Sequence, residues 1–107
     1  MKPTKVVFST SDLEEAFNSL SDKDPTKKAI SRAIKSIQED VFSSRNVKKE
    51  LIPKSLIDKY RISNLWIYNL PDAWRLLYSI APGGEVEIIA AILDWMNHKD
   101  YERLFKF

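Results

Sequence analysis

The sequence contains no cysteine and only one histidine among its 107 residues. Without cysteine, a disulfide framework, a thiolate zinc site and cysteine nucleophile chemistry are all excluded. The single histidine, His98, cannot form a multi-histidine metal site by itself. We therefore expect a protein that holds no metal ion and needs no small-molecule cofactor.

The sequence also lacks a long apolar run. No segment approaches the length needed to cross a bilayer, and the first residues, MKPTKVVFSTSDLEEAF, contain no continuous apolar signal core. These absences predict a cytoplasmic protein with no membrane partner. What is present, 44% hydrophobic and 11% aromatic residues, suits one small domain with one core, and we expect residues 1–107 to form it.

A large charge of one sign is absent as well, since the formal net charge is only +2. The basic residues are nevertheless unevenly distributed, with five between Lys23 and Lys35 and six between Arg45 and Arg61, against one and two acids respectively. This distribution is compatible with a polyanionic partner. An ordinary solvated helix face explains it equally well on charge alone.

Local patterns in the first half of the chain predict a strand and two helices. The β-branched segment 5–10 (KVVFST) predicts the strand, and the residues at 11–12 are suitable caps for the following helix. Apolar residues recur with a helical period over 25–43, which is the strongest helix signal in the chain. Residues 43–63 show no sustained period and are interpreted as a basic connector, with one or two helical turns after Pro53.

Patterns in the second half predict three strands and a last helix. Segments 65–70 and 74–81 are separated by the residues PDA, which suit a tight hairpin turn. The residues PGG at 82–84 predict the next turn. Segment 85–95 is long and apolar enough for a central strand, although its alanines leave a helix possible. The tail, NHKDYERLFKF, predicts a short C-terminal helix.

This order of elements predicts an α+β fold. We expect a small antiparallel sheet of about four strands, with the two N-terminal helices packed on one face and a short C-terminal helix. The opposite face of the sheet is expected to be open.

Alternation along the segment 74–80 assigns its residues to the two faces of that sheet. The covered face receives Trp74, Leu76, Tyr78 and Ile80, and the open face receives Arg75, Leu77 and Ser79. An arginine held by strand pairing projects a permanent charge that can grip a phosphate through two parallel hydrogen bonds. The alternative is a structural ion pair of Arg75 with a neighbouring carboxylate, namely Asp72, Glu87 or Asp94.

His98 is the second candidate for chemistry, because histidine is the side chain best suited to proton transfer near neutral pH. It lies in a polar group with Lys99 and Tyr101. The alternative for His98 is a capping or surface role. Tyr101 can likewise simply anchor the tail to the sheet, together with Leu104 and Phe105.

The residues DAWRLLYSI, followed by a long strand and HKDYERLF, resemble the RelE/ParE superfamily of type II toxins, which carry an aromatic-Arg-Leu-aliphatic-Tyr motif in that strand. The resemblance covers roughly residues 52–105, and before them only the order of elements. It implies a toxin that is neutralised by a cognate antitoxin protein. The RelE-like branch consists of small endoribonucleases that cleave mRNA in the ribosomal A site without a metal, so the implied partners include the ribosome and mRNA.

The resemblance also implies roles for particular residues. Arg75 matches the family arginine that contacts the scissile phosphate. His98, Lys99 and Tyr101 fall where the RelE-like branch places its remaining acid/base or phosphate-binding side chains. His98 would act as base or acid, Lys99 would supply charge, and Tyr101 would stack on a base or hydrogen-bond the phosphate. The residues expected to hold the RNA backbone are Lys48, Lys49, Lys54, Lys59 and Arg61.

One difference from the family pattern keeps two alternatives open. RelE-type members often carry lysines on the strand before the arginine, where this sequence has Trp66, Ile67 and Tyr68. The first alternative is a ParE-like toxin, which inhibits DNA gyrase and is not a nuclease. The second is a member that has lost catalysis and only binds an antitoxin.

Overall fold

The computed structural model of the chain describes residues 3–83 and 87–106. Within these ranges the chain forms an α+β fold, which confirms the predicted class. The strands are β1 (Thr4–Phe8), β2 (Arg45–Asn46), β3 (Trp66–Asn69), β4 (Arg75–Pro82) and β5 (Ile88–Met96). The helices are α1 (Ser11–Ser19), α2 (Pro25–Glu39), α3 (Lys54–Tyr60) and α4 (His98–Phe105), and none of them is long and apolar enough to span a membrane.

A single mixed sheet contains these five strands in the order β1-β5-β4-β3-β2. β1 runs parallel to β5, with Val6 opposite Ala90, and the other neighbouring strands are antiparallel. The expectation of about four antiparallel strands is therefore corrected in two respects, because β1 is parallel and β2 adds a strand. Both differences come from pairings between distant parts of the chain, which no local pattern reports.

The hairpin predicted around PDA is confirmed, because β3 and β4 pair antiparallel with Asn69 opposite Arg75. Its turn is a 3₁₀ segment, Pro71–Ala73, in which Asp72 has a φ of 59°. Aspartate tolerates this left-handed conformation better than most residues. β5 is a strand, as predicted, although residues 84–86 of the expected turn and strand lie outside the described residues.

β1 ends at Phe8, and α1 begins shortly after it. The Thr10 hydroxyl accepts a hydrogen bond from the Leu13 N–H at 3.1 Å, so Thr10 is the cap rather than residue 11 or 12. The strand and the helix are both present as predicted. Their common boundary lies slightly earlier in the chain than expected.

The two N-terminal helices lie on one face of the sheet. Asp24 caps α2 by accepting a hydrogen bond from the Thr26 N–H at 2.8 Å, and Pro25 occupies the first turn. The helix ends at Glu39, a little earlier than predicted, because Asp40 adopts extended backbone angles. We call the apolar cluster on this face the α2-side core; its buried residues are Ala29, Ile30, Ala33, Ile37, Val41, Leu70, Leu76, Tyr78, Ala90 and Ile92.

The opposite face of the sheet was expected to be open, and that expectation is wrong. An apolar cluster that includes residues of α3 and α4 covers its centre; this α4-side core contains Ile52, Leu56, Leu65, Ile67, Leu77, Leu93 and Tyr101. The helical turn expected after Pro53 is present as α3. Because α3 has only seven residues, its apolar positions span too few turns to reveal a helical period in the sequence.

Alternation along β4 follows the prediction. Leu76 and Tyr78 are buried in the α2-side core, whereas Leu77 is buried in the α4-side core. Arg75, two residues before Leu77, is therefore on the α4 side of the sheet, at the end of β4 nearest the hairpin turn. This geometry places its guanidinium beside α4.

Candidate functional site

Arg75 is held by pairing on both sides. It lies opposite Asn69 of β3 and opposite Met96 of β5, and its side chain is half-buried. Its Nη1 donates a hydrogen bond to the Trp74 carbonyl at 3.2 Å. Its guanidinium carbon lies 5.1 Å from the centre of the Tyr101 ring, within the range of a cation–π interaction. The strand and the tyrosine together restrict where this positive charge can point.

No carboxylate neutralises Arg75 within residues 3–83 and 87–106. The ion pairs of this part of the chain join Lys27 to Asp22, His98 to Glu102 and Arg103 to Asp100. The ion-pair alternative for Arg75 is therefore not what the structure contains. The guanidinium remains available to an external anion.

Asp94, one of the carboxylates considered as a partner of Arg75, belongs to another environment. Burial raises the pKa of Asp94, while the hydrogen bond from the Trp95 N–H at 2.8 Å and the charge of Lys59 act in the opposite direction. Asp94 lies opposite Leu77 on the α4 side of the sheet. Its nearest basic influence thus comes from α3 rather than from Arg75.

A second arginine, Arg45 of β2, approaches the same tyrosine. Its Nη2 donates a hydrogen bond to the Tyr101 hydroxyl, and its guanidinium carbon lies 5.9 Å from the ring centre. Tyr101 itself is only 4% exposed, and its ring lies 4.8 Å from that of Phe105. One buried aromatic ring therefore contacts two guanidinium groups that come from β4 and β2, the neighbours of β3 in the sheet.

Two guanidinium groups beside one ring form a candidate anion site. Their contacts with the ring and hydroxyl of Tyr101 leave both positive charges in place. A phosphate can accept paired hydrogen bonds from a planar guanidinium such as that of Arg45 or Arg75. We call these three residues, Arg45, Arg75 and Tyr101, the two-arginine site.

A cavity of about 260 Å³ opens beside Arg45, between β2 with its following turn and α4. The residues that line it are Arg45, Asn46, Val47, Lys48, Leu51, Tyr101 and Phe105. Its walls are mainly apolar, and its two basic side chains come from β2 and from the segment after it. The cavity thus adjoins the two-arginine site and shares Arg45 and Tyr101 with it.

His98 is the first residue of α4 and is exposed. The Asn97 side chain caps this helix by accepting a hydrogen bond from the Asp100 N–H at 2.9 Å. The Nε2 atom of His98 lies 2.5 Å from a carboxylate oxygen of Glu102, one turn further along. No hydrogen bond or ion pair connects His98 with Arg75 within the described ranges. The two residues nevertheless share one end of the sheet, because β5 ends opposite Arg75.

The remaining candidate residues are not gathered at one point. Lys99 is exposed on the first turn of α4, whereas Tyr101 is buried and anchors that helix to the sheet. Tyr101 therefore supports the arginines instead of offering an exposed ring for stacking, which differs from the role that the resemblance implied. The structure brings Arg75 and Tyr101 together and leaves His98 and Lys99 on the surface nearby.

The five basic residues predicted to hold RNA are all exposed and follow the path of α3. Lys48 and Lys49 precede the helix, Lys54 and Lys59 lie in its first and last turns, and Arg61 ends it in a left-handed conformation. At the start of this path Lys48 lines the cavity beside Arg45, and at its end Lys59 and Arg61 line a separate cleft. The basic residues thus form a track along α3 rather than a cluster.

Sequence reasoning did not assign two residues that the structure places at or near the site. Glu102 follows His98 by four positions. In a helix this spacing places two side chains on the same face, so the sequence contained a signal for their pairing. Arg45 had no such signal, because its hydrogen bond to Tyr101 spans 56 positions of the chain. Only the folding of β2 beside α4 brings the pair together.

No family model, no curated protein and no solved structure matches this chain at a significant level. Inference about its function therefore depends on the geometry of the site and on the residues themselves.

Proposed function

We propose that this chain is the toxin of a type II toxin–antitoxin system, similar to the RelE-like branch of the RelE/ParE superfamily, and that it cleaves mRNA on the ribosome without a metal ion. The observation that supports this most directly is the two-arginine site, in which two guanidinium groups contact Tyr101 and neither pairs with a carboxylate of residues 3–83 or 87–106. Other basic residues lie along α3, so the anion that suits this site best is the phosphate diester of a nucleic acid.

The chemistry of metal-free RNA cleavage matches these residue types. The 2′-oxygen attacks the adjacent phosphorus and forms a cyclic phosphate, while the bond from phosphorus to the 5′-oxygen of the next nucleotide breaks. Negative charge that develops on the phosphate oxygens is stabilised by Arg75 and Arg45. Proton transfer from the 2′-hydroxyl or to the leaving 5′-oxygen is assigned to His98.

Glu102 orients His98 in this scheme. A carboxylate bonded to one imidazole nitrogen leaves the other nitrogen free to exchange a proton with the substrate, which is the general arrangement of an oriented base. Lys99, exposed on the same turn, adds positive charge near the scissile phosphate. Because His98 does not contact Arg75, the RNA must bridge the two groups.

Lys48, Lys49, Lys54, Lys59 and Arg61 are assigned to the backbone of messenger or ribosomal RNA. Exposed lysines and arginines neutralise phosphates and release counterions, so this part of the binding weakens steeply as salt rises. The cognate antitoxin is expected to act in the cytoplasm by covering the two-arginine site, which requires carboxylates opposite Arg45 and Arg75.

The test is to induce expression of the chain briefly in cells that lack an antitoxin and then to map the 5′ ends of the mRNA. Wild-type protein is expected to stop growth and to produce ends at a fixed phase of the reading frame. Arg75→Ala should slow cleavage about 100-fold or more, as loss of a charge-stabilising group does in other enzymes. Arg32→Ala, an exposed arginine on α2 at the other face of the sheet, is the matched control and should remain toxic.

Mapped ends that are unchanged in the Arg75→Ala strain would contradict the assignment of the site. A strain in which His98→Ala cleaves like the wild type would contradict the proton-transfer role alone. These two variants therefore separate the phosphate contact from the acid/base step.

A second candidate function, a ParE-like inhibitor of DNA gyrase without nuclease activity, is favoured by one specific observation. Trp66 and Tyr68 pack against the α2-side core, and Ile67 is buried in the α4-side core, so no cationic side chain projects from these positions of β3. This candidate predicts intact mRNA and reduced DNA supercoiling in cells that express the chain. A member that only binds an antitoxin predicts neither effect.

A further inference from the structure

We propose that the outer edge of β1 binds an extended acidic segment of another protein, which adds to the sheet as a further strand beside β1. This inference goes beyond the proposed function and does not rest on it. β1 and β2 lie at opposite ends of the strand order, so this edge is separate from the two-arginine site, to which β2 contributes Arg45.

β1 is an edge strand, because among residues 3–83 and 87–106 it pairs with β5 alone. The Ser9 N–H donates a hydrogen bond to the Ile92 carbonyl at 2.8 Å, and the Ile88 N–H donates one to the Pro3 carbonyl at 2.9 Å. Along a strand, residues whose backbone groups bond to one neighbour alternate with residues whose groups point the other way. The N–H and C=O groups that point outward from β1 therefore belong to Thr4, Val6 and Phe8.

These outward groups have no hydrogen-bond partner among the residues that the structure describes. The side chains around them are accessible as well, since Lys5 is exposed and Val6, Val7 and Phe8 are only partly buried. A row of unpaired donors and acceptors is the template that an extended peptide uses when it adds to a sheet edge. A nucleic acid backbone has no such regular series of donors and acceptors, so the edge favours a polypeptide.

The side chains of β1 divide between the two faces of the sheet. Val6 and Phe8 pack against the α2-side core, and the ring of Phe8 lies 5.2 Å from that of Phe17. Lys5 and Val7 point to the other face by alternation, where Val7 lines a cleft of about 480 Å³. A strand added to β1 therefore meets apolar side chains on one face and the rim of this cleft on the other.

The charge on the cleft side is positive. Lys59 in the last turn of α3 and Arg61 just after it line the cleft, and no acidic residue of the described ranges does so. Lys5 is exposed on the same face and has no carboxylate partner within residues 3–83 and 87–106. Carboxylates on the added strand compensate these charges. The edge thus fits a segment in which apolar residues, facing α2, alternate with Asp or Glu, facing the cleft.

Charge also argues against a second copy of this chain as the occupant. Antiparallel pairing of two β1 strands about Val6 would use the same backbone groups. It would, however, place the two copies of Lys5 diagonally on one face, roughly 7–8 Å apart, and β1 itself (TKVVF) supplies no carboxylate to offset them. Lysine on an edge strand is a common means of preventing such self-association.

The experiment measures binding of a labelled peptide to the purified full chain by fluorescence anisotropy. The probe consists of four Val-Glu repeats with blocked ends, and the comparison peptide consists of four Val-Lys repeats. The Val-Glu peptide is expected to bind at least about 10-fold more tightly, because only its carboxylates compensate the positive charges beside β1.

Two matched variants locate the charge effect. Lys59 and Arg61 are assigned to RNA under the proposed function, so the test relies on Lys5, to which that function gives no role. Lys5→Glu should weaken binding of the Val-Glu peptide about 2- to 10-fold. Lys28→Glu makes the same change at an exposed lysine of α2, on the other side of the sheet, and should bind the peptide like the wild type. Thermal unfolding checks that both variants remain folded.

Hydrogen exchange, measured by NMR on the ¹⁵N-labelled chain, locates the added strand. The amides of Val6 and Phe8 should exchange quickly in the free chain and at least about 10-fold more slowly when the Val-Glu peptide is bound. The amides of Lys5 and Val7 are paired with β5 in both states, so the protection that the peptide adds should alternate along β1.

The possible outcomes decide between the occupants. Absence of Val-Glu binding, equal binding of the two peptides, or binding that leaves the exchange of Val6 and Phe8 unchanged would each overturn the inference. A free chain that sediments as a dimer with both amides already protected would overturn it in favour of a second copy. Wild-type protein that neither arrests growth nor cleaves mRNA would overturn only the proposed function, because the peptide measurements need no RNA and no ribosome.

Discussion

The two faces of the sheet are built differently. The α2 side is apolar across its buried part, and its buried tyrosine, Tyr78, donates its hydroxyl to the Val41 carbonyl at 2.8 Å. The α4 side has an apolar centre as well, but basic and acidic groups surround it. Arg45 and Arg75 converge there on Tyr101, and Asp94 is partly buried on the same side.

One strand therefore faces two different environments. Leu76 is buried in the α2-side core, whereas Arg75 lies beside Tyr101 on the other face and has no carboxylate partner among the residues that the structure describes. A closed apolar face stabilises the fold through burial. The α4 side uses part of the same sheet to hold the positive charges of Arg45 and Arg75, which the proposed function assigns to an RNA phosphate.

The largest expected effect comes from opening a cavity in the α2-side core. Ile37 is fully buried, so Ile37→Ala should lower the free energy of unfolding by about 2–5 kcal/mol. Ile57→Ala, at a residue that is 38% exposed on the other side, should change it by less than about 0.5 kcal/mol. Urea titration followed by circular dichroism measures both, and similar losses would contradict the placement of Ile37 in the buried core and of Ile57 on the surface.

A smaller loss is expected when the Tyr78 hydroxyl is removed. Tyr78→Phe leaves the Val41 carbonyl without its donor in a buried setting, which should reduce the free energy of unfolding by about 1–3 kcal/mol. RNA binding and toxicity should not change, because Tyr78 faces away from the two-arginine site. Weaker RNA binding in this variant at a temperature where it is fully folded would show that the faces are coupled.

Tyr101→Phe tests whether a tyrosine on the α4 side does more than stabilise. The ring stays, but Arg45 loses its acceptor, so stability should fall by about 0.5–1.5 kcal/mol and RNA affinity should fall as well. The control is Tyr60→Phe, which removes a hydroxyl that donates to the Leu93 carbonyl at 3.0 Å on the same side. The control should lose a similar amount of stability and keep the RNA affinity of the wild type. Denaturant unfolding measures the stability of both variants, and fluorescence anisotropy with labelled RNA measures their affinity.

The smallest effect concerns Asp94. Burial raises the pKa of Asp94, so the folded state favours its protonated form; that contribution is present in acid and is lost as pH rises through the folded-state pKa. Asp94→Asn should therefore raise Tm slightly at neutral pH and have almost no effect in acid. Asp58→Asn, an exposed change on α3, serves as the control in the same series of thermal melts. A gain that is larger in acid would contradict this sign.

Local signals in the sequence were sufficient for most elements. Asp24 and Pro25 marked the start of α2, alternation along β4 placed Arg75 and Leu76 on opposite faces, and the PDA turn indicated the hairpin. These features depend on neighbours in the chain. The end of α2 was less predictable, because the extended conformation of Asp40 competes with an apolar period that continues beyond the helix.

The candidate site was only partly predictable for the same reason. Arg75 and Tyr101 were identified individually, but their proximity, and the presence of Arg45 beside them, depend on how β2 and α4 pack. The role of α3 was also hidden, since a helix of seven residues carries too little periodicity to indicate that it covers a sheet face.

The sequence by itself determined the α+β class, the two N-terminal helices, the hairpin and the position of Arg75 on its strand, because caps, turns and alternation act over a few residues. Tertiary structure alone decided that β1 runs parallel to β5, that α3 and α4 cover the second face, and that Arg45 joins Arg75 around Tyr101. Those outcomes arise from contacts between residues far apart in the chain, whose free energy depends on the burial and charge of the assembled fold rather than on any short segment.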